Sequence, residues 1–341
     1  MKAVVLVREG QADQAFELRD IPKPSPASHE VLIKVSHFGL NFADVMSRNG
    51  KYNDRPELPC VLGYEVVGTI EALGSDVSSF SIGDRVVSLV QFGGYAEYAA
   101  ANSQGVLKLG DNEDAAEATA LATQYCTAWL SACMMINLRK GDRVLIHAAA
   151  GGVGTALVQI AKWKECEIFG TASQPDKMDY LREQGVDHPI NYKESRFEEE
   201  VQNLLGDKRL DAVFDPVGGA NFKRSLKLLG SGGRIVTFGA SDWASSKGSF
   251  IDKLRLAFGF GFLHPIALLM KSKSVIGVNM LRIGENRPDY VKAAFEEVMV
   301  HYRNGTLKPT IDSVHHVEDI QKAHELLENR STKGKVVVRW N

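Results

Sequence analysis

Residues 149–154 follow the spacing A-x-G-x-x-G, with Ala149, Gly151 and Gly154 at its fixed positions. A turn of such small residues, between an apolar run and an amphipathic one, lets backbone approach a diphosphate closely. Ala150, Gly151, Gly152, Val153 and Gly154 would aim unpaired amide N–H groups, at the opening of a helix, at that negative charge. Alone the motif is weakly specific, and the residues downstream refine it. A NAD-binding unit carries Asp or Glu about 20 residues beyond the turn, to hold the ribose 2′-hydroxyl. Here the segment 171–177 reads TASQPDK, with Ala172 in the acidic place. Ser173 can donate to a phosphate and Lys177 adds positive charge, so NADPH is favoured. The same two residues also fit plainer roles, Ser173 as the cap of the next helix and Lys177 as a solvated charge.

Other chemistries find little support. The chain has nine histidines but no HExxH or similar ligand spacing, and the adjacent His315 and His316 would diverge in a strand. All nine are read as structural or surface residues. No G-x-S-x-G elbow is present, which removes a serine hydrolase of that type. Cys60, Cys126, Cys133 and Cys166 are scattered without a CxxC pair, as free thiols of a reducing cytosol would be.

The elements that must position these residues follow from periodicity. Residues 143–147 form a short apolar run that reads as a strand, and a helix opens at 153. Before them, alternating segments at 31–35, 64–72, 84–90 and 95–100 join an N-terminal strand in a β-rich unit. A short helix is expected after residues 39–44. From 113 the period changes, with a helix over 115–135 and then strands at 143–147, 167–171, 189–191, 211–214, 233–238 and 274–278. Helices at 176–183, 197–205 and 221–229 lie between most of these strands, which makes the sheet parallel and doubly wound. Later helices are expected at 288–302 and 317–328, and a closing strand at 334–339.

At 341 residues, two domains are the default. Forty basic against 42 acidic residues leave a net charge of −2, with no basic block of the kind that tracks nucleic acid. The N-terminal apolar run is too short for a signal peptide. Residues 250–270 are unusually apolar, but their charge-free part spans only 15 residues. A membrane-crossing helix needs about 20, so spanning is not expected. Three readings compete, in this order: a flap over the substrate site, a self-association surface, and a peripheral membrane contact.

Several runs together resemble the zinc-free quinone oxidoreductase branch of the medium-chain dehydrogenases/reductases: GLNFAD at 39–44, LGYEVVG at 62–68, HAAAGGVG at 147–154, DPVGG at 215–219, VTFG at 236–239 and GKVV at 334–337. Residues 169–173, 188–192 and 309–314 are similar to the synaptic-vesicle amine-transport branch within it. The resemblance implies an α/β chain in which a Rossmann NADPH-binding domain, 123–280, is inserted into a β-rich GroES-like catalytic domain, 1–122 and 281–341, with the active site in the cleft. Zinc-dependent relatives have Cys where Asn41 stands and His where Tyr64 stands, and an amide and a phenol are poor zinc ligands, so no metal is expected.

By the same resemblance Asn41 lies near the nicotinamide and substrate, and Tyr52 at the substrate mouth. Tyr64 fills the vacated ligand position and either aims its hydroxyl inward or simply packs. Lys177, Tyr192 and Arg330 match residues that grip the 2′-phosphate, although Arg330 also fits a helix C-terminus. Thr127, Phe238, Gly239 and Ser241 fall in segments lining the cofactor groove. The edge strand 274–278 implies a homodimer. The reading is a cytoplasmic NADPH-dependent quinone or enone reductase. The alternative is a catalytically weak, nucleotide-binding protein associated with membrane or lipid.

Overall fold

The computed structural model describes residues 1–241, 259–261 and 263–340. The chain divides into two compact units: residues 1–126, 281–300 and 309–341 form the first, and 127–280 with 301–308 the second.

The first unit is built on antiparallel strands. Glu30–Leu40 is its spine, pairing on one side with Glu65–Leu73 and on the other with Tyr98–Asn102 along its first half and Lys335–Arg339 along its second. The spine's burial alternates only in part, because irregular pairing near Leu32 and Val35 shifts its register against Glu65–Leu73. A core of Val31, Ile33, Phe38, Leu62, Val66, Val86, Tyr95 and Val338 fills the interior. Two strands that alternation did not mark are Phe16–Asp20, which pairs with Lys2–Leu6, and Ile311–His316, which pairs in parallel with Lys335–Arg339. The expected short helix is Phe42–Arg48, earlier than placed, so Asn41 is its N-cap.

The second unit carries six strands in the order His188–Asn191, Glu167–Ala172, Arg143–Ile146, Leu210–Asp215, Leu229–Thr237 and Ser274–Gly277, every neighbouring pair parallel. The order reverses direction at Arg143–Ile146, the place where open α/β sheets bind ligands beyond the carboxyl ends of their strands. Helices Gly152–Trp163, Pro175–Gln184, Phe197–Leu205 and Gly219–Leu228 alternate with the strands. Phe169, Val213, Phe222 and Ile235 lie at the centre of its core.

The helical run expected over 115–135 is interrupted by two wider π-type turns, Leu121–Tyr125 and Leu130–Met135. Such turns often sit at functional positions. Of the apolar segment 250–270, residues 250–258 and 262 lie outside the described residues. Its described end includes the helix Pro265–Lys271, whose Ile266, Leu269 and Met270 are exposed. No helix among the described residues is long and apolar enough to cross a membrane.

Candidate active site

In the second unit the strand Arg143–Ile146 runs into the glycine turn, and the helix Gly152–Trp163 starts with Gly151 as N-cap and no side chain capping it. Its first amides are therefore presented by backbone alone. Gly151, Gly152 and Val153 are partly exposed, whereas Ala149, Ala150 and Gly154 are buried. The glycines differ in purpose. A methyl at Gly154 would come within 2.2 Å of the Ala148 carbonyl oxygen, so Gly154 lets helix and turn touch. A methyl at Gly151 would meet only that oxygen, at 3.3 Å, so its open side is available to a ligand. The left-handed residue of the turn is Ala148, at φ 52°, one position before the Ala149 that holds the first motif place.

The neighbouring strand Glu167–Ala172 ends on buried Ala172. Ser173 does not cap the next helix; Gln174 is the N-cap, and Pro175 opens the helix. Lys177 is buried at 6% exposure, which rules out the solvated surface charge. Tyr192 is partly buried against the unit's core, its N–H donating to the Ala172 carbonyl. Phe238, Gly239 and Ser241 follow the strand Leu229–Thr237, and their loop is tied down by Phe238 N–H to the Asp215 carbonyl and Ser241 N–H to the Pro216 carbonyl. Asp215 in turn fixes its own loop, accepting from the N–H groups of Val217 and Gly218 and from Asn221. Thr127 is buried within this unit. The chemistry of this turn fits a dinucleotide diphosphate: an uncapped helix N-terminus, an open glycine face and Ala172 instead of an acid at the end of the neighbouring strand.

The first unit holds the other group of candidates. Asn41, buried, donates from its amide nitrogen to both oxygens of the Glu65 carboxylate, at 2.9 and 2.8 Å, and its carbonyl accepts from Lys335 Nζ at 2.9 Å. Lys335 and Glu65 are both fully buried and form an ion pair, with the Thr123 hydroxyl also donating to Glu65. One of the π-type turns supplies that hydroxyl. Gly39 makes room, since a methyl there would lie 2.1 Å from Glu65 Oε1 and 2.3 Å from Lys335 Cε. Asn41 is thus an internal anchor whose amide hydrogens point at Glu65. Sequence reasoning missed Glu65, Lys335 and Thr123. A charged residue inside each of two apolar strands was the only available signal, and their separation in the chain concealed the pairing.

Tyr64 is buried, its ring tilted on Phe92 and edge-on to half-buried Tyr52. Burial pushes the Tyr52 phenol up to about 12 and Tyr64 higher still, so both hydroxyls keep their protons at neutral pH. Arg330 follows the helix Ile320–Glu328 in a left-handed turn at φ 54°, its guanidinium 5.9 Å above the Phe42 ring. Among the described residues no three His, Cys, Asp or Glu side chains converge to hold a metal. A zinc ion does not fit the donors here, because Asn41 is committed to Glu65 and Lys335, and Tyr64 offers a protonated phenol.

Comparison with known proteins bears on this arrangement. Residues 27–111 match the alcohol dehydrogenase GroES-like domain and residues 152–298 the zinc-binding dehydrogenase domain. The human quinone oxidoreductase is 32% identical over 341 residues, covering 99% of this chain and 97% of that protein. The chain belongs to the quinone oxidoreductase family of medium-chain dehydrogenases/reductases. A zebrafish (Danio rerio) synaptic vesicle membrane protein VAT-1 homolog is 33% identical, over 99% of this chain and 69% of its own length. Among solved structures, the Escherichia coli quinone oxidoreductase complexed with NADPH superposes with a TM-score of 0.87 at 26% identity, covering 99% of this chain and all of that one. As an oxidoreductase of this family, the chain departs from the domain description in its donor set, which lacks the chemistry for zinc.

Proposed function

We propose that the chain is an NADPH-dependent reductase of quinones or enones that works by direct hydride transfer without a metal. The observation that carries this reading is the uncapped, glycine-opened N-terminus of the helix Gly152–Trp163 beside a strand ending in Ala172 instead of an acid. The complex of the Escherichia coli relative with NADPH, and the name shared by the human relative, point the same way.

In this reading the backbone of residues 150–154 binds the diphosphate, and Ser173, Lys177, Tyr192 and Arg330 hold the 2′-phosphate. Thr127, Phe238, Gly239 and Ser241 line the cofactor's path. Bound NADPH supplies the hydride. Without a Lewis acid the enzyme needs an acceptor whose conjugation spreads the arriving charge, which is what quinones and enones provide. Tyr52 and Tyr64 donate hydrogen bonds to the developing oxyanion, and Asn41 holds Glu65, the residue next to Tyr64. The strand Ser274–Gly277, at the sheet's edge, pairs with its mate in a homodimer. Four free cysteines suit a cytosolic enzyme.

Purified protein should consume NADPH when 1,2-naphthoquinone or an enone is added. No oxidation with any electrophile, together with co-sedimentation on liposomes, would replace the reductase by a lipid-associated binding protein.

A further inference from the structure

Two loops of the first unit carry rings that meet at Tyr64. Residues 49–59, between the helix Phe42–Arg48 and the strand Cys60–Val61, hold Tyr52. Residues 90–97, between the strands Arg85–Leu89 and Tyr98–Asn102, hold Phe92. Neither loop has a helix or strand of its own, so side chains must set the spacing between them. On the buried side the rings do this. Tyr52 stands edge-on to Tyr64 with centroids 6.4 Å apart, and Tyr64 tilts on Phe92 at 5.2 Å.

On the exposed side a second chain of contacts joins the same two loops through a third element, the helix Met280–Asn286. Arg282 donates from Nη2 to Asp54 at 2.5 Å and from Nη1 to Glu285 at 2.9 Å. Glu285 accepts at its other oxygen from Gln91 Nε2, at 2.6 Å. Asp54 lies two residues beyond Tyr52, and Gln91 is the neighbour of Phe92. Beyond burial, the Asp54 carboxylate raises the Tyr52 phenol further and the Arg282 guanidinium lowers it, so both charges lie near that hydroxyl. All of these residues belong to the first unit. One guanidinium thus holds two carboxylates on separate nitrogens. Isolated exposed pairs contribute little, but a forked, bridged network restricts the segments it joins.

We propose that Arg282 is a positioning residue for the acceptor: with Glu285 it straps the Tyr52 loop to the Phe92 loop and so sets the width of the aromatic mouth. The inference rests on the quinone or enone reading above, which puts Tyr52 and Tyr64 at the acceptor. Arg282 acts through these rings and takes no part in hydride or proton transfer. Width matters most for a large flat acceptor. A three-ring quinone gains from offset or edge-on contact with Tyr52, Tyr64 and Phe92 together, whereas a four-carbon enone leaves most of the mouth unfilled. A displacement of about 1 Å in a site of this kind costs about 10-fold or more.

The plain alternative is that the strap is only a surface ion-pair cluster, and kinetics at saturating NADPH separates the two. Arg282→Gln should raise KM for 9,10-phenanthrenequinone about 10-fold, change kcat less than about threefold and leave KM for but-3-en-2-one near the wild-type value. Its melting temperature should stay close to that of the wild type, because the Arg282 side chain is 57% exposed. Arg282→Lys keeps the charge but has one ammonium for two carboxylates, and should behave as Arg282→Gln does. Asp54→Asn should reproduce the quinone effect, and it decides the matter if the Arg282 variants do not fold. The double variant Asp54→Asn/Arg282→Gln should be no worse than either single one. An unchanged quinone KM, equal rises for quinone and enone, wild-type behaviour of Arg282→Lys, or additive effects in the double variant would each overturn the strap while leaving the reductase intact. A wild type that oxidises no NADPH with either acceptor fails earlier, and overturns the reductase reading itself.

Discussion

Removing one charge from the Glu65–Lys335 pair should be far more damaging than removing both. Both side chains are fully buried, and among the described residues Lys335 is the cation bonded to Glu65. In Lys335→Met the carboxylate keeps two bonds from Asn41 and one from Thr123 but loses its counter-ion, and Asn41 Oδ1 loses its donor. Breaking a buried pair in this way costs about 4 kcal/mol. For a unit of this size each kcal/mol lowers the melting temperature by about 3 °C, so the first unit should melt about 12 °C earlier. The double variant Glu65→Gln/Lys335→Met carries no buried charge at this place. Its new amide can accept from Thr123 and donate to Asn41 Oδ1, so at least half of the lost stability should return. Scanning calorimetry, with the transitions of the two units resolved, makes the comparison. A single variant within about 1 kcal/mol of wild type, or a double variant no more stable than the single, would refute the argument that burial without a partner is what hurts.

Other expectations follow from the same reading of burial and geometry. Ala148→Gly should stabilise the second unit by about 0.5–1 kcal/mol in thermal melts, since relief of about 1–2 kcal/mol from the left-handed alanine outweighs the flexibility added to the unfolded chain. His147 is buried between Thr171 and Ser225, and burial lowers its pKa to about 4. It must therefore stay neutral when folded: its contribution is complete above about pH 6.5 and is lost as pH falls toward 4, a change of about 3 kcal/mol that His147→Gln should abolish in acid titrations. Lys177→Gln should raise KM for NADPH about 10-fold or more and leave KM for NADH nearly unchanged, which steady-state kinetics with both cofactors would show. Equal effects on the two would mean that the 2′-phosphate is held elsewhere.

Local regularity is what the sequence exposes. The small residues of 149–154, the apolar strands of the parallel sheet and the helix over 197–205 were readable because spacing alone decides them. Phe16–Asp20 escaped because its alternation, Phe16 and Leu18 against Glu17 and Arg19, spans too few positions to mark a strand. Ile311–His316 alternates only weakly, between half-buried and exposed residues. The plainer alternative for Ser173, a helix cap, is excluded because Pro175 fits the first helical position and puts the cap at Gln174. The role of Asn41 depended on partners 24 and 294 residues away, which no local pattern can bring together. Lys177 showed its charge in the sequence, but its burial only in the fold.

The bond between Glu65 and Lys335 joins residues 270 positions apart, across a unit that the chain leaves and re-enters. A ribosome releases the carboxylate long before the ammonium. Throughout that interval the spine strand cannot close around Gly39 without enclosing a naked charge. The first unit therefore has a built-in reason to wait, while the second, composed almost wholly of one continuous stretch, is free to fold ahead of it.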